Sequence, residues 1–218
     1  MGEPAVSILL PSRGRPQSLA RTCESLRAHA SDAARIEVLV GYDEDDPRTG
    51  DVADDLDCRS VVFSRHGYDK LHLYVNYLAE LAYGRWLFLW NDDAVMQTDF
   101  WDLILDRYDS NTSLVLSPSS TGVGHSMCCF PIVSCALFSR LGHMSLSPHI
   151  DSWLQDLGNQ AGILRNVDVN ILHDRYDLTG GHNDETWAES RSGYRTSEFY
   201  SEPMQKLLRR DISKVLSC

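Results

Sequence analysis

Two adjacent carboxylates follow an abrupt apolar run near the middle of this chain. The run WLFLW, residues 86–90, leads directly into Asn91, Asp92 and Asp93. A strand that ends in acids can hold Mg²⁺ or Mn²⁺, because these hard cations take carboxylate oxygens and keep positions for water and substrate phosphates. An isolated pair of acids is more often a solvated turn. The pair therefore predicts a metal site only if other polar loops lie beside it.

Two other polar segments follow apolar runs earlier in the chain. PSRGRP follows the run AVSILL, and YDEDD follows the run IEVLVG. In open parallel sheets, ligands bind beyond the carboxyl ends of the strands. If the three apolar runs are neighbouring parallel strands, their polar loops meet at one edge of the sheet.

Apolar periodicity predicts the elements that position these loops. Buried strands are predicted over residues 5–11, 36–42, 59–64 and 85–90. The alternation of strands with amphipathic helices predicts an α/β/α sandwich with a mostly parallel central sheet.

Two helices are predicted between these strands. One begins at Pro16, a residue suited to a first turn, and ends at Ala30. The other covers residues 69–84 and ends at Gly84 as its C-terminal cap. The acidic tract 42–57 is predicted to be a solvated loop.

The composition fits one globular unit and disfavours several kinds of partner. With 218 residues and 43% hydrophobic content the chain is long enough for one full core, so a single domain over 1–218 is expected. The net charge of −11 repels polyanions such as nucleic acid.

Six cysteines without C-x-x-C spacing fit reduced thiols better than disulfides or a zinc site. Apolar runs far below the roughly 20 residues of a membrane span, and an N-terminus unlike a signal peptide, predict a cytoplasmic protein without a membrane span.

The order and spacing of these motifs resemble the inverting glycosyltransferases of the Rossmann-like GT-A fold, in particular the family-two group with its compact bacterial and phage members. Their pattern runs strand, P-x-x-x-R-P, strand, acidic turn, then N-x-G-x-x-x-A-x-G before an apolar strand and D-x-D. The matching positions are Pro11, Arg15, Pro16, Asn76, Ala82, Gly84 and Asp93. The chain departs from the pattern at Leu78, which replaces a glycine, and at Asn91, which replaces the first acid of D-x-D.

The resemblance also implies a catalytic base and a second metal ligand. Asp151, followed eleven residues later by Gly162, matches the position of the family's base, although Ile150 and Trp153 replace its flanking acids. The alternative for Asp151 is an acid favoured at a helix start, with Asp156 as a weaker rival base. His173 ends the apolar segment VDVNILH and is similar to the family's strand-end metal ligand, with His182 as the runner-up.

The same resemblance implies a donor site and a cofactor. The expected donor-binding residues are Pro11, Arg13, Arg15, Asp43, Lys70, Asn76 and Asp92. The cations among them would contact phosphates or the base, unless they are ordinary surface charges, and Asp45 or Asp46 could replace Asp43. The expected metal is Mn²⁺ or Mg²⁺ on Asp93 and His173, and the expected donor is a nucleotide sugar, with a UDP-sugar favoured.

The sequence leaves the acceptor and two other functions open. A nucleotide-binding half over 1–98, an acceptor and catalytic half over 99–190, and a helical tail over 191–218 are expected. The segment 119–140 is expected to shape the acceptor pocket, and the loop 178–185 to act as a lid. The acceptor hydroxyl could belong to a saccharide, a small molecule or a hydroxymethylated DNA base. The alternatives are a nucleotidyltransferase on the same scaffold and a non-catalytic sugar- or nucleotide-binding module.

A basic cluster near the C-terminus is the feature that keeps the DNA acceptor open. It comprises Arg191, Arg195, Lys206, Arg209, Arg210 and Lys214. A phosphate-binding face is one interpretation, and the solvated surface of a helix is the commoner one.

Overall fold

The computed structural model describes residues 4–180, 184–193 and 196–217. Within these ranges, eight strands form one sheet in the order β3-β2-β1-β4-β7-β6-β8-β5. The strands are β1 (Val6–Pro11), β2 (Ile36–Asp43), β3 (Arg59–Phe63), β4 (Trp86–Leu89), β5 (Ala94–Met96), β6 (Val115–Ser120), β7 (Ile132–Ser134) and β8 (Leu164–His173).

Helices join these strands and cover both faces of the sheet. In the described ranges they are α1 (Pro16–Ala28), α2 (Pro47–Asp55), α3 (Leu71–Leu81), α4 (Trp101–Leu105), α5 (Cys135–Leu141), α6 (Ile150–Gln160), α7 (Tyr176–Thr179), α8 (Glu185–Gly193), α9 (Thr196–Phe199) and α10 (Glu202–Leu216). None of the helices in this part of the chain is both long and apolar enough to cross a membrane.

The sheet is mostly parallel, as the sequence predicts. β1, β2, β3 and β4 run in one direction, and β6 and β8 run the same way beyond the reversed strand β7. The edge strand β5 pairs antiparallel with β8. The carboxyl ends of β1, β2, β4 and β8 therefore meet at one edge of the sheet.

Strand alternation divides the core into two layers. In β1, Ile8 and Leu10 pack on one face, together with α1, α2 and α4, while Leu9 packs on the other face. That second face is covered by α3, α5, α6 and α10. The first layer is rich in buried aromatic side chains, including Trp90, whereas the second is mainly aliphatic around Trp153. The result is the predicted α/β/α sandwich.

Two local predictions are wrong. The acidic tract contains α2, which begins at Pro47 and buries Thr49, Gly50 and Ala53 against the sheet. Its inward residues are small or weakly apolar, so the acidic composition of the tract favoured a solvated loop. The third helix ends at Leu81 rather than at Gly84.

Gly84 has a different role from that of a helix cap. Its backbone N–H donates to Ser7 Oγ at 2.7 Å, and a Cβ on this residue would lie 2.5 Å from Ser7 N. The glycine is therefore required by the close approach of the turn to β1.

Candidate active site

A cavity of about 340 Å³ opens at the edge where the strand ends meet. It brings together most of the residues that the sequence indicates, from segments far apart in the chain. These are Pro11, Arg13, Arg15, Asp43, Asp92, Asp93, Asp151 and His173. The strand-end rule therefore locates the site.

Backbone pairing places Asp93 beside His173. Ala94 lies opposite His173 in the antiparallel ladder of β5 and β8, and Asp174 N donates to Asp93 O at 2.8 Å. His173 Nε2 lies 3.3 Å from Asp93 Oδ1. Both side chains are buried, with 8% of Asp93 and 5% of His173 exposed. A carboxylate and an imidazole thus face the cavity from paired strands.

Arg15 links the loop after β1 to the acidic loop after β4, which contains Asp92 and Asp93. Its Nη1 donates to Asp92 Oδ1 at 3.0 Å and lies 3.6 Å from Asp93 Oδ2. Its Nε and Nη2 donate to the two carboxylate oxygens of Asp184 at 2.6 and 2.8 Å. Ser12 Oγ also donates to Asp92, at 2.8 Å. These bonds fix the orientation of the carboxylate pair.

The end of β2 forms a second polar cluster. Asp43 is buried and accepts hydrogen bonds from Arg13 Nη1 at 3.0 Å and from the Tyr74 hydroxyl at 2.5 Å. Arg13 also pairs with Asp45, and Gly14 N donates to Asp46 Oδ2 at 2.7 Å. The first and second loops are therefore held together by their own charges.

Asp151 lies in the first turn of α6 on another wall of the cavity. Its carboxylate accepts from Ser152 N at 2.7 Å and, in the part of the chain that the structure describes, pairs with no arginine. Burial raises its pKa above that of an ordinary aspartate. An uncommitted carboxylate with a raised pKa is suited to accept a proton.

The acidic loop and His173 have perturbed pKa values. Burial raises the pKa of Asp92 to about 6, with Asp93 adding to the rise and Arg15 opposing it. Burial alone would lower the pKa of His173, but its hydrogen bonds with Asp93 and Cys129 raise it to about 9. The Asp93 carboxylate thus favours the protonated form of His173.

Two of the expected donor residues do not reach the cavity. Lys70 is exposed at the start of α3 and does not line it. Asn76 accepts from Met144 N at 2.8 Å and Ser145 N at 3.2 Å, and donates to Ser145 O at 2.8 Å. Asn76 therefore ties α3 to the segment before α6.

Other expectations have separate outcomes. Asp156 does not line the cavity, which leaves Asp151 as the carboxylate of α6 that faces it. His182 and residues 181–183 of the expected lid lie outside the described residues. Of the segment 119–140, Met127 and Cys129 line the cavity.

The basic cluster of the C-terminus is partly neutralised by neighbouring acids where the structure describes it. Arg209 pairs with Glu202 at 2.6 Å, and Lys214 Nζ lies 3.3 Å from Asp211. The side chains of Arg191 and Arg195 lie outside the described residues. These pairs fit a helix surface better than a phosphate-binding face.

Sequence reasoning missed several residues of the cavity wall. Arg65 and Tyr68 follow β3 and line the cavity, so the rule that ligands bind at strand ends would have found them if applied to the third strand. Burial raises the pKa of Tyr68 to about 12, and the charges of Asp151 and Asp93 add to the rise. Tyr68 is thus close enough to both Asp93 and Asp151 for their charges to affect its pKa.

Helix α8 supplies a part of the wall that no local pattern indicates. Asp184, directly before α8, accepts a hydrogen bond from Arg15. Glu189 accepts from Arg65 Nη2 at 2.9 Å and from Tyr68 N at 3.1 Å. Thr186 Oγ1 donates to Arg13 O at 3.1 Å. These contacts join residues more than 120 positions apart in sequence, which short-range periodicity cannot reveal.

The donor atoms at the cavity fit a divalent cation. Among the described residues, no ready-made group of three metal-binding side chains occurs. Asp93 and His173 nevertheless supply an oxygen and a nitrogen at one point, which leaves positions for water and phosphate oxygens. The carboxylate oxygen, with positions left for water and phosphate, fits the expected Mn²⁺ or Mg²⁺.

Comparisons with known proteins agree with this geometry. A family model described as Glycosyl transferase family 2 matches residues 7–124. Among solved structures, the chain is similar to the mannosyltransferase PcManGT from Pyrobaculum calidifontis in complex with GDP-Man and Mn²⁺, with a TM-score of 0.60 and 13% identity over 100% of this chain and 74% of that one. This likeness shows the fold, which is of the GT-A type. No curated protein sequence gives a significant match.

Proposed function

This chain belongs to glycosyl transferase family 2, and on that premise we propose that it moves a sugar from a nucleotide sugar to a hydroxyl acceptor by a metal-dependent, inverting reaction. The observation that carries the proposal is the meeting of Asp93, His173 and Asp151 in one cavity. A paired oxygen and nitrogen on one wall and a free carboxylate on another are the groups that such a transfer needs.

The donor is bound by the loops that follow β1 and β2. Asp43, Arg13 and Pro11 line the side of the cavity formed by these strand ends. The carboxylate of Asp43 can accept hydrogen bonds from a nucleoside, while Arg13 supplies charge-assisted contacts. A UDP-sugar is the proposed donor, and the GDP-Man in the similar mannosyltransferase supports a nucleotide sugar in general.

Asp93 and His173 would hold the metal. A bound Mn²⁺ would supply Lewis-acid stabilisation of the diphosphate leaving group. Arg15 and Ser12 hold the neighbouring Asp92, so that the acidic loop keeps its shape when the cation binds. Asn91 in place of the first acid leaves the later acids of the loop to perform this role.

Asp151 is the general base. Direct displacement at the anomeric carbon needs one carboxylate to take the proton of the acceptor hydroxyl, and the configuration is then inverted. The other acids of the wall are engaged: Asp43 with Arg13, Asp92 with Arg15, Asp177 with Arg175 and Glu189 with Arg65. Asp151 is thus the carboxylate with the freedom to act on the acceptor.

A thermal-shift screen of nucleotide sugars with Mn²⁺ tests the proposal. We expect one donor to raise the unfolding temperature with Mn²⁺ and to lose this effect in EDTA, followed by metal-dependent release of the nucleoside diphosphate. Release of pyrophosphate from a nucleoside triphosphate would instead show nucleotidyl transfer. Donor binding without any turnover would show a binding module.

A further inference from the structure

Two cysteines outside the candidate active site lie in direct contact. Cys23 Sγ in α1 lies 3.9 Å from Cys58 Sγ, which follows α2. Cys23 is fully buried in the first core layer, and Cys58 is partly buried against the same layer. Neither lines the cavity. A disulfide needs a sulfur separation of about 2.05 Å, so the two side chains would have to approach by less than 2 Å.

The surroundings of the two sulfurs differ in charge and access. Arg27 Nη2 lies 3.7 Å from Cys58 Sγ, and Arg27 also donates to Leu56 O at 2.7 Å, which holds the guanidinium beside the thiol. A nearby cation stabilises a thiolate, and the thiolate is the reactive form of cysteine. Cys23 has no access to solvent. Cys58 is therefore the sulfur that an oxidant reaches first.

The protonation of the pair is consistent with these different environments. The hydrogen bond from Cys23 lowers the pKa of Cys58 to about 7, and Arg27 assists. The same hydrogen bond and burial raise the pKa of Cys23. Cys23 thus keeps its proton and donates a hydrogen bond to the Cys58 thiolate. A thiol whose pKa lies near the ambient pH is close to the optimum for attack.

We propose that Cys23 and Cys58 form a redox-active thiol pair that closes to a disulfide when a peroxide reaches Cys58. The Cys58 thiolate attacks a peroxide oxygen, so that an S–O bond forms, the O–O bond breaks and hydroxide leaves to become water. The Cys23 sulfur then attacks the sulfenic sulfur, so that the S–S bond forms, the S–O bond breaks and the departing hydroxide takes the Cys23 proton to become a second water. The hydroxide of the first step takes its proton from solvent. Two electrons pass from the thiols to the peroxide, which is reduced to two waters.

The disulfide would join α1 to the turn between α2 and β3. Asp57 in this turn has a positive φ of 53° and Cys58 N donates to Ala53 O at 3.0 Å, so the backbone already brings Cys58 back toward α1. The link would close a loop between residues 23 and 58 on the first face of the sheet. This pair is independent of glycosyl transfer, and no donor is needed to test it.

Peroxide treatment of the whole chain, followed by alkylation and peptide mapping, tests the proposal. We expect two of the six cysteine thiols to disappear as a Cys23–Cys58 linked peptide within a monomer, and to return on treatment with a thiol reductant. Cys135→Ala, which alters a cysteine in another helix, should leave this product unchanged.

The single variants separate the two roles. In Cys23→Ala, Cys58 should go on to sulfinic acid, which the reductant does not reverse. In Cys58→Ala, Cys23 should stay available for alkylation after denaturation. The proposal is overturned if wild-type Cys58 accumulates as sulfinic acid without the linked peptide, if the link forms only between two chains, or if both thiols remain unmodified at peroxide doses that oxidise the exposed Met127. Circular dichroism of each variant shows whether a failure reflects lost folding.

Discussion

At the scale of single residues, the chemistry of the cavity depends on which carboxylates are already engaged. Asp43 and Asp92 each have an arginine partner within 3.0 Å. Asp151 instead accepts a hydrogen bond from the backbone N–H of Ser152. Its raised pKa makes it a better proton acceptor than a paired acid. In the proposed mechanism, the paired acids are neutralised by arginines and Asp151 accepts the proton.

We expect Asp151→Asn to lower the rate of transfer by roughly 10²–10⁴-fold, as loss of a general base does, because the amide keeps the shape but cannot take the proton. Donor affinity should change little. Steady-state rates and donor titrations on the same preparation check this. Asp156→Asn, on the same helix but outside the cavity, should remain near wild type. A near-normal rate for Asp151→Asn would remove this residue from the mechanism.

The pH profile follows from the direction of the Asp151 pKa. Burial raises this pKa, so the carboxylate becomes protonated at a higher pH than an ordinary aspartate, whose pKa is about 3.9. A base must be deprotonated, so kcat/KM should fall as the pH decreases through this raised value. The residual activity of Asp151→Asn should lack that acidic limb. Profiles of both proteins at saturating Mn²⁺ measure the difference.

The metal assignment can be tested at Asp93. We expect Asp93→Asn to abolish the Mn²⁺-dependent part of nucleotide binding, because it removes the carboxylate that faces His173. Calorimetric titration with and without EDTA measures this part. Asp168→Asn, an exposed acid in β8, is the matched control. Unchanged Mn²⁺-dependent affinity in a folded Asp93→Asn protein would exclude this ligand.

At the scale of elements, the site is assembled by contacts between helices and loops as well as by strand ends. Asn76 in α3 does not line the cavity. It binds the backbone of Met144 and Ser145, just before the helix that carries Asp151. Its amide therefore positions α6.

We expect Asn76→Ala to reduce transfer more than donor affinity and to lower the free energy of unfolding by about 1–3 kcal/mol, because buried backbone groups lose their partner. Urea unfolding and separate kcat and KM values check this. Glu80→Ala, an exposed change on the same helix, should have little effect. A selective rise in the donor KM would instead indicate the donor contact that the sequence predicts for this residue.

The strands of the fold could be predicted from the sequence, whereas one helix, the role of Gly84 and the long-range contacts of the site could not. Strands such as 5–11 and 85–90 are apolar enough to be recognised without tertiary information. α2 was missed because its buried face consists of small residues, and Gly84 was misassigned because its constraint comes from β1 in space. The contacts of Asp184 and Glu189 depend on the return of α8 over the first loops, which no local pattern encodes.

At the scale of the whole molecule, buried carboxylates tie the outer helices to the two core layers. Asp102 in α4 accepts from Ser31 N and Arg35 Nε, both at 2.7 Å. Asp211 in α10 is fully buried, 3.2 Å from His143 Nε2 and 3.3 Å from Lys214 Nζ. Burial would raise the pKa of either acid, but their partners hold both pKa values below the ordinary range.

The stability of the chain should therefore fall in acid. A carboxylate with a lowered folded pKa contributes stability above its unfolded pKa, and this contribution is lost as the pH falls through the folded value. We expect Asp211→Asn to lower the free energy of unfolding by roughly 1–3 kcal/mol at pH 7, because the amide removes the buried charge that pairs with His143 and Lys214. The difference from wild type should shrink below the ordinary aspartate pKa. Urea midpoints at several pH values measure it, and a constant difference would contradict this assignment.

The ladder that pairs Ala94 with His173 restricts how this chain can vary in length over evolutionary time. Side chains alternate between the two faces of a strand, so a one-residue insertion between Ile171 and His173 would turn the imidazole away from Asp93. Deletions and insertions should then be tolerated in the turn after Ser120 but eliminated by selection within β8. Among descendants of a common ancestor, the spacing from Ile171 to His173 should be invariant even where the residue types drift.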